Sequence, residues 1–338
     1  MGDTAVLGYF TLMDVINDYT SLDGQAQYIY AAKVLSKAKP FIRDMPMVAS
    51  NQIMSNIGSR ESYLPTPGTR RFNEGVALSA GHTTPFNDPI SMVEDYSEVD
   101  YALWRIQNDP NTWRDQKNAM KVEAMGQKME DLVIYGSIAT DPGAFNGFAT
   151  RTGALSVHPN GNSAWPHNVV DGGGSGGDTT SVFIVQWGPG KVYGIYPKNL
   201  PGGLQIEDLG KVTINSGSEA SPKYYEGLRT HFSWYLGIVV EDERCLLRYA
   251  NIETSGNSNI FDEDKLITCL NNLPDRGAAP GTVIYAPRSI CNQLDIAAKD
   301  KNNVNYTPDN VWGGMITNFR GIPVRLAEGI DETETQIV

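Results

Sequence analysis

Cysteine is scarce in this sequence, and the few that occur are poorly placed for a structural site. Cys245, Cys269 and Cys291 are odd in number and widely spaced along the 338 residues. That arrangement fits neither a disulfide framework nor the paired cysteines of a zinc site. We therefore predict three reduced thiols, most of them buried.

Long hydrophobic runs are absent as well. No segment contains the roughly 18 consecutive apolar residues that a membrane-spanning helix needs, which excludes a membrane protein. Residues 1–7 contain no basic region followed by a long apolar stretch, so no secretory signal is visible. We expect the protein to be made and used in the cytoplasm.

Positive charge is in short supply. The chain carries 27 lysine and arginine residues against 39 aspartate and glutamate residues, a formal net charge of −12. Because binding to nucleic-acid phosphates depends on lysine and arginine displacing counterions, direct DNA or RNA binding by the folded surface is not expected. Two interpretations of the acidic balance stay open: simple solubility, and an acidic lining along which an enclosed polyanion slides.

Nucleotide-binding motifs are missing. Gly172, Gly174 and Gly177 have the G-x-G-x-x-G spacing, but that motif needs a helix after it, so that the helix N-terminus meets the pyrophosphate. Here a β-branched and aromatic run follows from Ser181 instead. The Gly-Lys-Ser/Thr of a P-loop is also absent. We interpret residues 168–178 as a flexible hinge or loop.

No catalytic constellation or metal site stands out either. The histidines lack HExxH spacing, and no G-x-S-x-G nucleophile motif occurs. They are His82, His158, His167 and His231. A close group of carboxylates is more typical of a solvated strand face than of acid/base catalysis. It consists of Glu94, Asp95, Glu98 and Asp100. We predict that the chain is not an enzyme and holds no metal or cofactor.

Helical spacing of apolar residues predicts two short N-terminal helices, at 11–18 and 23–38. Pro40 and Pro46 are expected to stop helix formation and to leave an extended connector. Together these segments predict an arm and not a core.

The clearest helix is predicted over 109–136. Asp109 is a plausible N-cap, Pro110 suits the first helical position, and Gly136 is expected to end the helix in the left-handed conformation. Seven apolar residues form a stripe that we expect to be buried: Trp113, Met120, Ala124, Met125, Met129, Leu132 and Val133. The opposite, charged face, which includes Lys117 and Glu130, is expected to be exposed.

Two strand-like runs, at 52–57 and 91–104, flank a polar segment rich in Pro, Gly, Thr and Arg, which predicts a long two-stranded excursion. A lone hairpin is only marginally stable in water, so this one needs a neighbour to lie on. Later residues predict aromatic strands within 181–196 and 227–241. They also predict a helix from Asp262, a strand at 282–285, a helix at 289–299 and a strand pair within 317–326.

Charged and aromatic residues are the candidates for contacts between copies of the chain. They are Arg60, Arg70, Arg71, Glu74, Trp187 and Tyr193. For the charged residues, intersubunit ion pairs and plain loop solvation stay open as alternatives. For the aromatic residues, an interface role and burial in the core stay open.

The order of these elements resembles that of the major capsid proteins of tailed bacteriophages with the Hong Kong 97-type fold, in particular the podovirus-associated subgroup. The runs that carry the resemblance are NVVDGGGSGGDTTSV at 168–182, WGP at 187–189, GIYPK at 194–198, EDLG at 207–210, RTHFSWYLG at 229–237, RYANI at 248–252 and FRGIPVR at 319–325. The resemblance covers essentially the whole chain and is most specific in its middle third.

The resemblance implies an α+β, Hong Kong 97-like phage capsid fold with four regions. These are an N-terminal arm at 1–51, an extended loop at 52–107, a spine helix and peripheral-domain β region at 108–250, and an axial domain with closing strands at 251–338. In the usual family order, further strands follow a segment like 321–324, whereas this chain ends soon after it. A permuted strand order therefore stays open.

The function that the resemblance implies is that of a major capsid protein. Copies would assemble as hexamers and pentamers into the icosahedral head shell of a virion, built in the host cytoplasm and enclosing double-stranded DNA without sequence-specific binding. Scaffolding, portal and decoration proteins are the implied further partners. Two alternatives stay open: a β-rich binding or receptor-recognition module, and a nanocompartment shell that encloses protein cargo.

Overall fold

The computed structural model describes residues 19–22, 25–28, 37, 39–107, 109–155, 168–216, 222–256, 258–298, 306–308 and 317–338. Their contacts divide them into two compact units. Unit 1 draws on the segments Met1–Lys37, Met92–Lys128 and Gly203–Trp234, and unit 2 on Ala38–Ser91, Met129–Gly202 and Tyr235–Val338. Each unit is thus assembled from three separate stretches of the sequence.

The elements of the first half are, in chain order, β1 (Tyr19–Leu22), β2 (Gln25–Tyr28), α1 (Pro40–Asp44), β3 (Met47–Ala49), β4 (Ser55–Tyr63), β5 (His82–Pro89), β6 (Ser91–Asp100), α2 (Tyr101–Arg105), α3 (Pro110–Tyr135) and α4 (Phe148–Arg151). Those of the second half are β7 (Val169–Asp171), β8 (Thr179–Gln186), β9 (Val192–Tyr196), β10 (Gly203–Asn215), β11 (Tyr224–Val240), β12 (Leu246–Glu253), α5 (Glu263–Asn272), β13 (Thr282–Ala286), α6 (Arg288–Ala298), β14 (Tyr306–Pro308), β15 (Thr317–Phe319) and β16 (Ile322–Leu326).

The N-terminal helix prediction is wrong where it can be checked. β2 lies inside the predicted helix 23–38 and pairs antiparallel with β1. The predicted helix 11–18 lies outside the described residues, as does most of the second. Pro40 does not stop a helix but begins α1, because a proline at the first helical position has no N–H to leave unpaired.

The predicted hairpin exists, but its second strand was misplaced. β4 pairs antiparallel with β5, from Ser55 opposite Pro89 to Tyr63 opposite His82. The run assigned to the returning strand is β6, which pairs with β11 in another sheet. Because it contains Pro85 and Pro89, the segment that forms β5 was assigned to the polar loop between the two predicted strands. In a two-stranded sheet, however, every strand is an edge strand, and a proline whose missing N–H would face outwards costs no ladder hydrogen bond.

The long helix α3 was predicted well at its start. The Asp109 carboxylate accepts hydrogen bonds from the backbone N–H of Thr112 at 3.3 Å and from its hydroxyl at 2.7 Å, which confirms the cap. The reason for the glycine at the other end is different from the one predicted. Gly136 does not adopt a positive φ; instead, an added Cβ would lie 2.4 Å from the carbonyl oxygen of Phe145. Close backbone approach, and not a left-handed turn, requires this glycine.

The predicted faces of α3 need correction at four positions. Met120 and Ala124, assigned to the buried stripe, are exposed. Lys117 and Glu130, assigned to the exposed face, are buried. The remaining five stripe residues are buried as predicted: Trp113, Met125, Met129, Leu132 and Val133.

In unit 1, β6 and β10 pair with β11, and Val99 and Trp113 pack with Leu103 and Trp104 in a small core. The sequence favoured a solvated face for the carboxylates of β6, but each of them has a partner within the unit. Three of them face basic groups, in the pairs Glu94–His231 (3.3 Å), Asp95–Lys121 (3.0 Å) and Glu98–Arg229 (2.5 Å). Asp100 caps α2 by accepting a hydrogen bond from the N–H of Ala102 at 2.7 Å. Two of the four carboxylates of β6 are therefore paired with a lysine or an arginine of the same unit.

Unit 2 contains a seven-stranded sheet in the order β14-β15-β16-β13-β8-β12-β7. Its centre is β8, in which all eight residues are buried. Alternate side chains such as Val182 and Ile184 join a core with apolar residues of α5 and α6. Phe183, on the other face, packs with Phe41 of α1 and Phe148 of α4. Helices therefore cover both faces of the sheet, which is why β8 reads as a continuous apolar run.

The three cysteines are free; Cys245 and Cys269 are buried and Cys291 is half-buried. Burial raises the pKa of the Cys245 and Cys269 thiols to about 12 and that of Cys291 to about 11. All three therefore stay protonated at neutral pH. Among the helices that the structure describes, none combines the length and the apolar character needed to cross a bilayer.

Candidate assembly surface

The connection between β4 and β5 is the most exposed part of the described chain. Every residue from 64 to 81 is exposed, and the segment contains no helix or strand. We call residues 64–81 the tip loop. Phe72 is 97% exposed and Leu78 is 103% exposed. Large apolar side chains held in water at the end of a hairpin are typical of a surface that another protein covers.

A tight turn shapes the end of the tip loop. The N–H of Glu74 donates to the carbonyl oxygen of Arg71 at 3.2 Å, and Asn73 has a φ of 66°. A positive φ at the third residue of a turn favours glycine or asparagine, so the sequence suits this conformation. Arg70, Arg71 and Glu74 are exposed around the turn, and none of them makes an ion pair to another described residue.

Arg60, the fourth charged residue of the hairpin that was predicted to contact another copy, instead binds residues of its own chain. Its guanidinium pairs with Glu243 at 2.7 Å, donates to the carbonyl oxygens of Val240 and of Glu241, and lies 4.3 Å from the centre of the Phe86 ring. Burial lowers the pKa of Arg60, although the Glu243 carboxylate opposes this. Arg60 therefore anchors the outer half of β4 to residues 240–243.

The two aromatic candidates are also covered by their own chain. Trp187 is 6% exposed and donates its indole N–H to the hydroxyl of Tyr285 at 2.6 Å. Tyr193 is 8% exposed and donates its hydroxyl to Glu241 at 2.9 Å. Burial, with the Glu241 carboxylate, raises the pKa of Tyr193 to about 12. Their burial favours the core alternative, since little of either side chain is left for a neighbouring copy.

A buried ion pair at the hairpin base had no signal in the sequence. Arg151 of α4 pairs with Asp88 of β5 at 2.7 Å, and both side chains are only 8% exposed. Arg151 also donates to the carbonyl oxygens of Asn146 and Ile238. Sixty-three residues separate the two partners along the chain, so neither spacing nor periodicity connects them. Together with Arg60, this pair attaches the hairpin firmly to unit 2.

A second buried carboxylate joins α3 to α1. Glu130 is 2% exposed, and its two oxygens accept hydrogen bonds from the N–H groups of Phe41 and Ile42, both at 3.4 Å. Burial raises the pKa of Glu130 to about 7; these hydrogen bonds and Lys39 oppose the shift, and Asp44 adds to it. Glu130 thus supplies an N-terminal cap to α1 from another helix, at the expense of burying a charge.

We expect Glu130→Gln to stabilise the protein at alkaline pH. A carboxyl with a raised pKa in the folded state contributes its full stability below about pH 4.5, and that contribution is lost as the pH rises through about 7. Glutamine keeps an acceptor oxygen and avoids the buried charge. The variant should be more stable than the wild-type chain by on the order of 2 kcal/mol at pH 8 and no different at pH 4. Urea denaturation at both pH values measures this, and equal differences at the two values would contradict it.

We find no grouping of side chains typical of a metal site or a catalytic site among the described residues. No three of their His, Cys, Asp and Glu side chains lie close enough together to hold a metal ion. His82 is exposed, and the ring of His231 stacks on Tyr96 with centroids 4.6 Å apart. His158 and His167 lie outside the described residues. The Gly-rich segment leads from β7 into β8 and not into a helix. The glycines at 172, 174 and 177 therefore do not form a dinucleotide-binding motif.

Comparisons with known proteins agree with the resemblance seen in the sequence. Residues 23–338 match the family described as major capsid protein GP7. A chain in the structure of bacteriophage Epsilon15 is 24% identical, with 99% of each chain covered and a TM-score of 0.75. The capsid chain of bacteriophage JBD30 is 11% identical, with 96% of this chain and 99% of that chain covered and a TM-score of 0.50.

One further similarity concerns the nanocompartment alternative. An encapsulin from Synechococcus elongatus is 11% identical over 69% of this chain and 93% of its own, but its TM-score of 0.41 is too low to support the nanocompartment reading. None of the curated proteins matches the sequence. The two phage likenesses confirm the predicted phage-capsid fold, and the family match, which extends over nearly the whole chain, decides the function. The chain belongs to the family of tailed-bacteriophage major capsid proteins, a structural and non-enzymatic class whose copies build the shell of the virion head.

Proposed function

We propose that the tip loop of each copy lies on a neighbouring copy in the shell, with Arg70, Arg71 and Glu74 at the contact. Copies are grouped into hexamers and pentamers, and the closed shell encloses double-stranded DNA. Scaffolding, portal and decoration proteins are further proposed partners, and the division at residues 51, 107 and 250 is kept as the proposed domain plan. One observation carries the proposal: two large apolar side chains are fully exposed at the end of a hairpin.

The energetics of the hairpin support this role. Covering a phenylalanine or a leucine side chain contributes about 1.5–3 kcal/mol. Phe72 and Leu78 forgo that gain in the isolated chain. Two strands without a further partner strand add little stability by themselves, whereas Arg60 and the Asp88–Arg151 pair hold the strands in place. A hairpin with a fixed base and an uncovered tip is suited to contact a second molecule.

The net charge supports a passive relation to the enclosed DNA. At −12 the chain repels phosphates on average, so it offers no broad electrostatic attraction to nucleic acid. A shell that does not bind its contents tightly leaves them free to move as they enter and leave. Sequence-specific DNA binding is therefore not part of the proposal.

The proposal is tested by replacing residues 64–81 with a two-residue Asn-Gly turn, which suits a hairpin. We expect the shortened chain to fold, with a melting temperature within a few degrees of the wild-type value, because the loop buries nothing in its own chain. We expect it to form no closed shells by electron microscopy, and light scattering should give a small mass.

A double variant and a single control variant of the tip loop complete this test. Phe72→Ser with Leu78→Ser removes the exposed apolar area and should also prevent closure, whereas Thr69→Ala changes a small polar residue of the same loop and should not. Closed shells from the shortened chain would refute the proposed role of the loop. A small, stable oligomer of the wild-type chain under all assembly conditions would also contradict the proposal.

A further inference from the structure

A cleft of about 770 Å³ lies between the hairpin strands and the body of unit 2. One wall is formed by residues 59–62 of β4 and 84–88 of β5, and the other by residues 241–244 with Asn146 and Arg151. Five carboxylates and three guanidinium groups line it, which gives a formal charge of −2. The carboxylates belong to Glu61, Asp88, Glu241, Asp242 and Glu243. We call this the acidic cleft.

All three guanidinium groups of the cleft are already paired inside the chain. Arg60 pairs with Glu243 at 2.7 Å, and Arg151 pairs with Asp88 at 2.7 Å. Arg244 pairs with Asp242 at 2.8 Å. The excess negative charge therefore falls on the two remaining carboxylates.

Those two carboxylates differ in their surroundings. Glu241 accepts the hydroxyl of Tyr193. Glu61 is exposed and makes no ion pair to another described residue. Glu61 is therefore a carboxylate at the cleft that is open to a cationic partner.

The tip loop carries the complementary charge. Arg70 and Arg71 are exposed, likewise make no ion pair within the described residues, and flank the uncovered Phe72. We call residues 70–72 the basic tip. The planar guanidinium of arginine binds a carboxylate through two parallel hydrogen bonds, which is the geometry that charged interfaces favour. Pro85 and Phe86, which also line the cleft, offer apolar surface for an aromatic ring.

The basic tip does not bind the acidic cleft of its own chain. Neither arginine is among the residues that line the cleft. The tip of one copy and the cleft of another form a head-to-tail contact, and repeated contacts of that kind give a ring where the rotation between copies closes. A second copy of the chain is thus the occupant that the complementary charges favour.

We infer that the basic tip of one copy binds the acidic cleft of a neighbouring copy, with Arg71 paired to Glu61 and Phe72 covering Pro85 and Phe86. This inference rests on the proposed function, because it names the surface that receives the tip loop. It assigns both halves of the contact to residues of this chain. Arg60 and the Asp88–Arg151 pair, which anchor the hairpin, also line the cleft that would receive the neighbouring tip.

Cysteine cross-linking tests the contact directly. In a Cys291→Ser background, which removes the half-buried thiol, Arg71→Cys and Glu61→Cys are combined in one chain, assembled and mildly oxidised. A disulfide needs Cα atoms within about 7 Å, so bonds form only if tip and cleft meet. We expect a ladder of dimers, trimers and larger species on a non-reducing gel, because a head-to-tail contact links each copy to two others.

Two controls and one contrary outcome make the ladder interpretable. Arg71→Cys combined with Gln336→Cys, which places the second thiol at another exposed position, should give no ladder. The double-cysteine chain kept unassembled in dilute solution should give none either. A faster-migrating monomer without a ladder would show that the loop reaches its own cleft, and this would overturn the inference.

Charge exchange gives a second, independent readout. Arg71→Glu and Glu61→Arg should each lower the yield of closed shells by about tenfold or more, because each places like charges opposite each other at every such contact of the shell. The two changes combined in one chain should restore the yield to within about twofold, since the pair is then reversed and not broken. Single variants with wild-type yield would overturn the pairing.

The outcomes separate this inference from the proposed function. If the wild-type chain closes shells and the loop-shortened chain does not, the tip loop is needed for assembly. If the cross-linked ladder is then absent from the double-cysteine shells, the receiving surface is wrong while the proposed function stands. If the loop-shortened chain closes shells, the proposed function fails and the inference fails with it.

Discussion

Replacing Glu334 with alanine is expected to lower the free energy of unfolding by about 3–5 kcal/mol, because it leaves a buried arginine without its carboxylate. Arg248 of β12 is 4% exposed and pairs with Glu334 at 2.8 Å. Ser181 and Tyr135 also donate their hydroxyls to this carboxylate, at 2.5 Å and 2.7 Å. Alanine removes the acceptor for all three groups at once.

Glu334 also holds the last residues of the chain on the large sheet. Its backbone N–H donates to the carbonyl oxygen of Thr179 at 2.8 Å, and the Thr179 hydroxyl donates to its carbonyl oxygen at 2.7 Å. Three residues on, the backbone of Ile337 exchanges two hydrogen bonds with the side chain of Asn251. The C-terminal segment therefore acts as a strap across β8 and β12, and the carboxylate is its main attachment.

Urea denaturation followed by circular dichroism measures the expected loss. Glu334→Gln keeps the shape and two polar atoms but loses the charge, so it should lose less than the alanine variant. Thr335→Ala, at the exposed neighbouring position, should stay within about 0.5 kcal/mol of the wild-type chain. If Glu334→Ala were as stable as Thr335→Ala, the buried pair would contribute nothing and the strap would be held by its backbone alone.

Periodicity and capping chemistry predicted several of the regular elements of this fold, although not the N-terminal strands or β5. The start of α3 followed from Asp109 and Pro110. The helix predicted from Asp262 is α5, and the structure adds that the Asp262 carboxylate caps it by accepting a hydrogen bond from the N–H of Asp264. β8 and β11 followed from aromatic and β-branched runs. These signals are local, since each depends on residues within one or two turns of helix or along one strand.

The predictions that were wrong or missing concern contacts between residues that are far apart in the sequence. The burial of Glu130 comes from its cap on α1, about 90 residues away, so its charge pointed to the wrong face of α3. β5 was missed because its two prolines are tolerated only where a strand lacks a second neighbour. The Arg248–Glu334 pair joins positions 86 residues apart, a separation at which a single sequence holds no signal.

The candidate surface shows the same division. Arg70, Arg71 and Glu74 were expected to be exposed because they lie among turn-forming residues, and they are exposed. Arg60 belongs to the same charged segment, but it points towards backbone carbonyl oxygens at the end of β11. Which arginine is free and which anchors the hairpin depends on the fold of residues 240–243. The acidic cleft was not predicted for the same reason.

Phe41→Ala is the second substitution from which we expect a large effect, about 3–5 kcal/mol of lost stability. Phe41 is 0% exposed, and its ring stacks on Tyr285 with centroids 3.9 Å apart. Phe148 and Phe183 complete the cluster, at 5.5 Å and 6.4 Å. The change removes both the buried area and the ring contacts, and it opens a cavity between α1 and the sheet.

A graded pair of variants separates packing from backbone effects. Phe41→Leu fills most of the volume but loses the stacking, so we expect a loss of about 1–2 kcal/mol. Val48→Ala, on the exposed strand that follows α1, should lose less than about 1 kcal/mol. The urea midpoint and the near-ultraviolet circular dichroism of the aromatic cluster are the measurements, and equal losses from all three variants would contradict the packing argument.

The position of Phe41 in the chain makes this cluster matter for assembly. α1 is held by its ring on one side and by the Glu130 cap at its N-terminus, and it lies between the N-terminal segment and the hairpin in the sequence. Loosening α1 therefore weakens the support of β3, which follows within three residues and pairs with β9. We expect Phe41→Ala chains that still fold at low temperature to close fewer shells than Phe41→Leu chains, in the same order as their stabilities, because a displaced β3 alters the sheet edge next to the hairpin base.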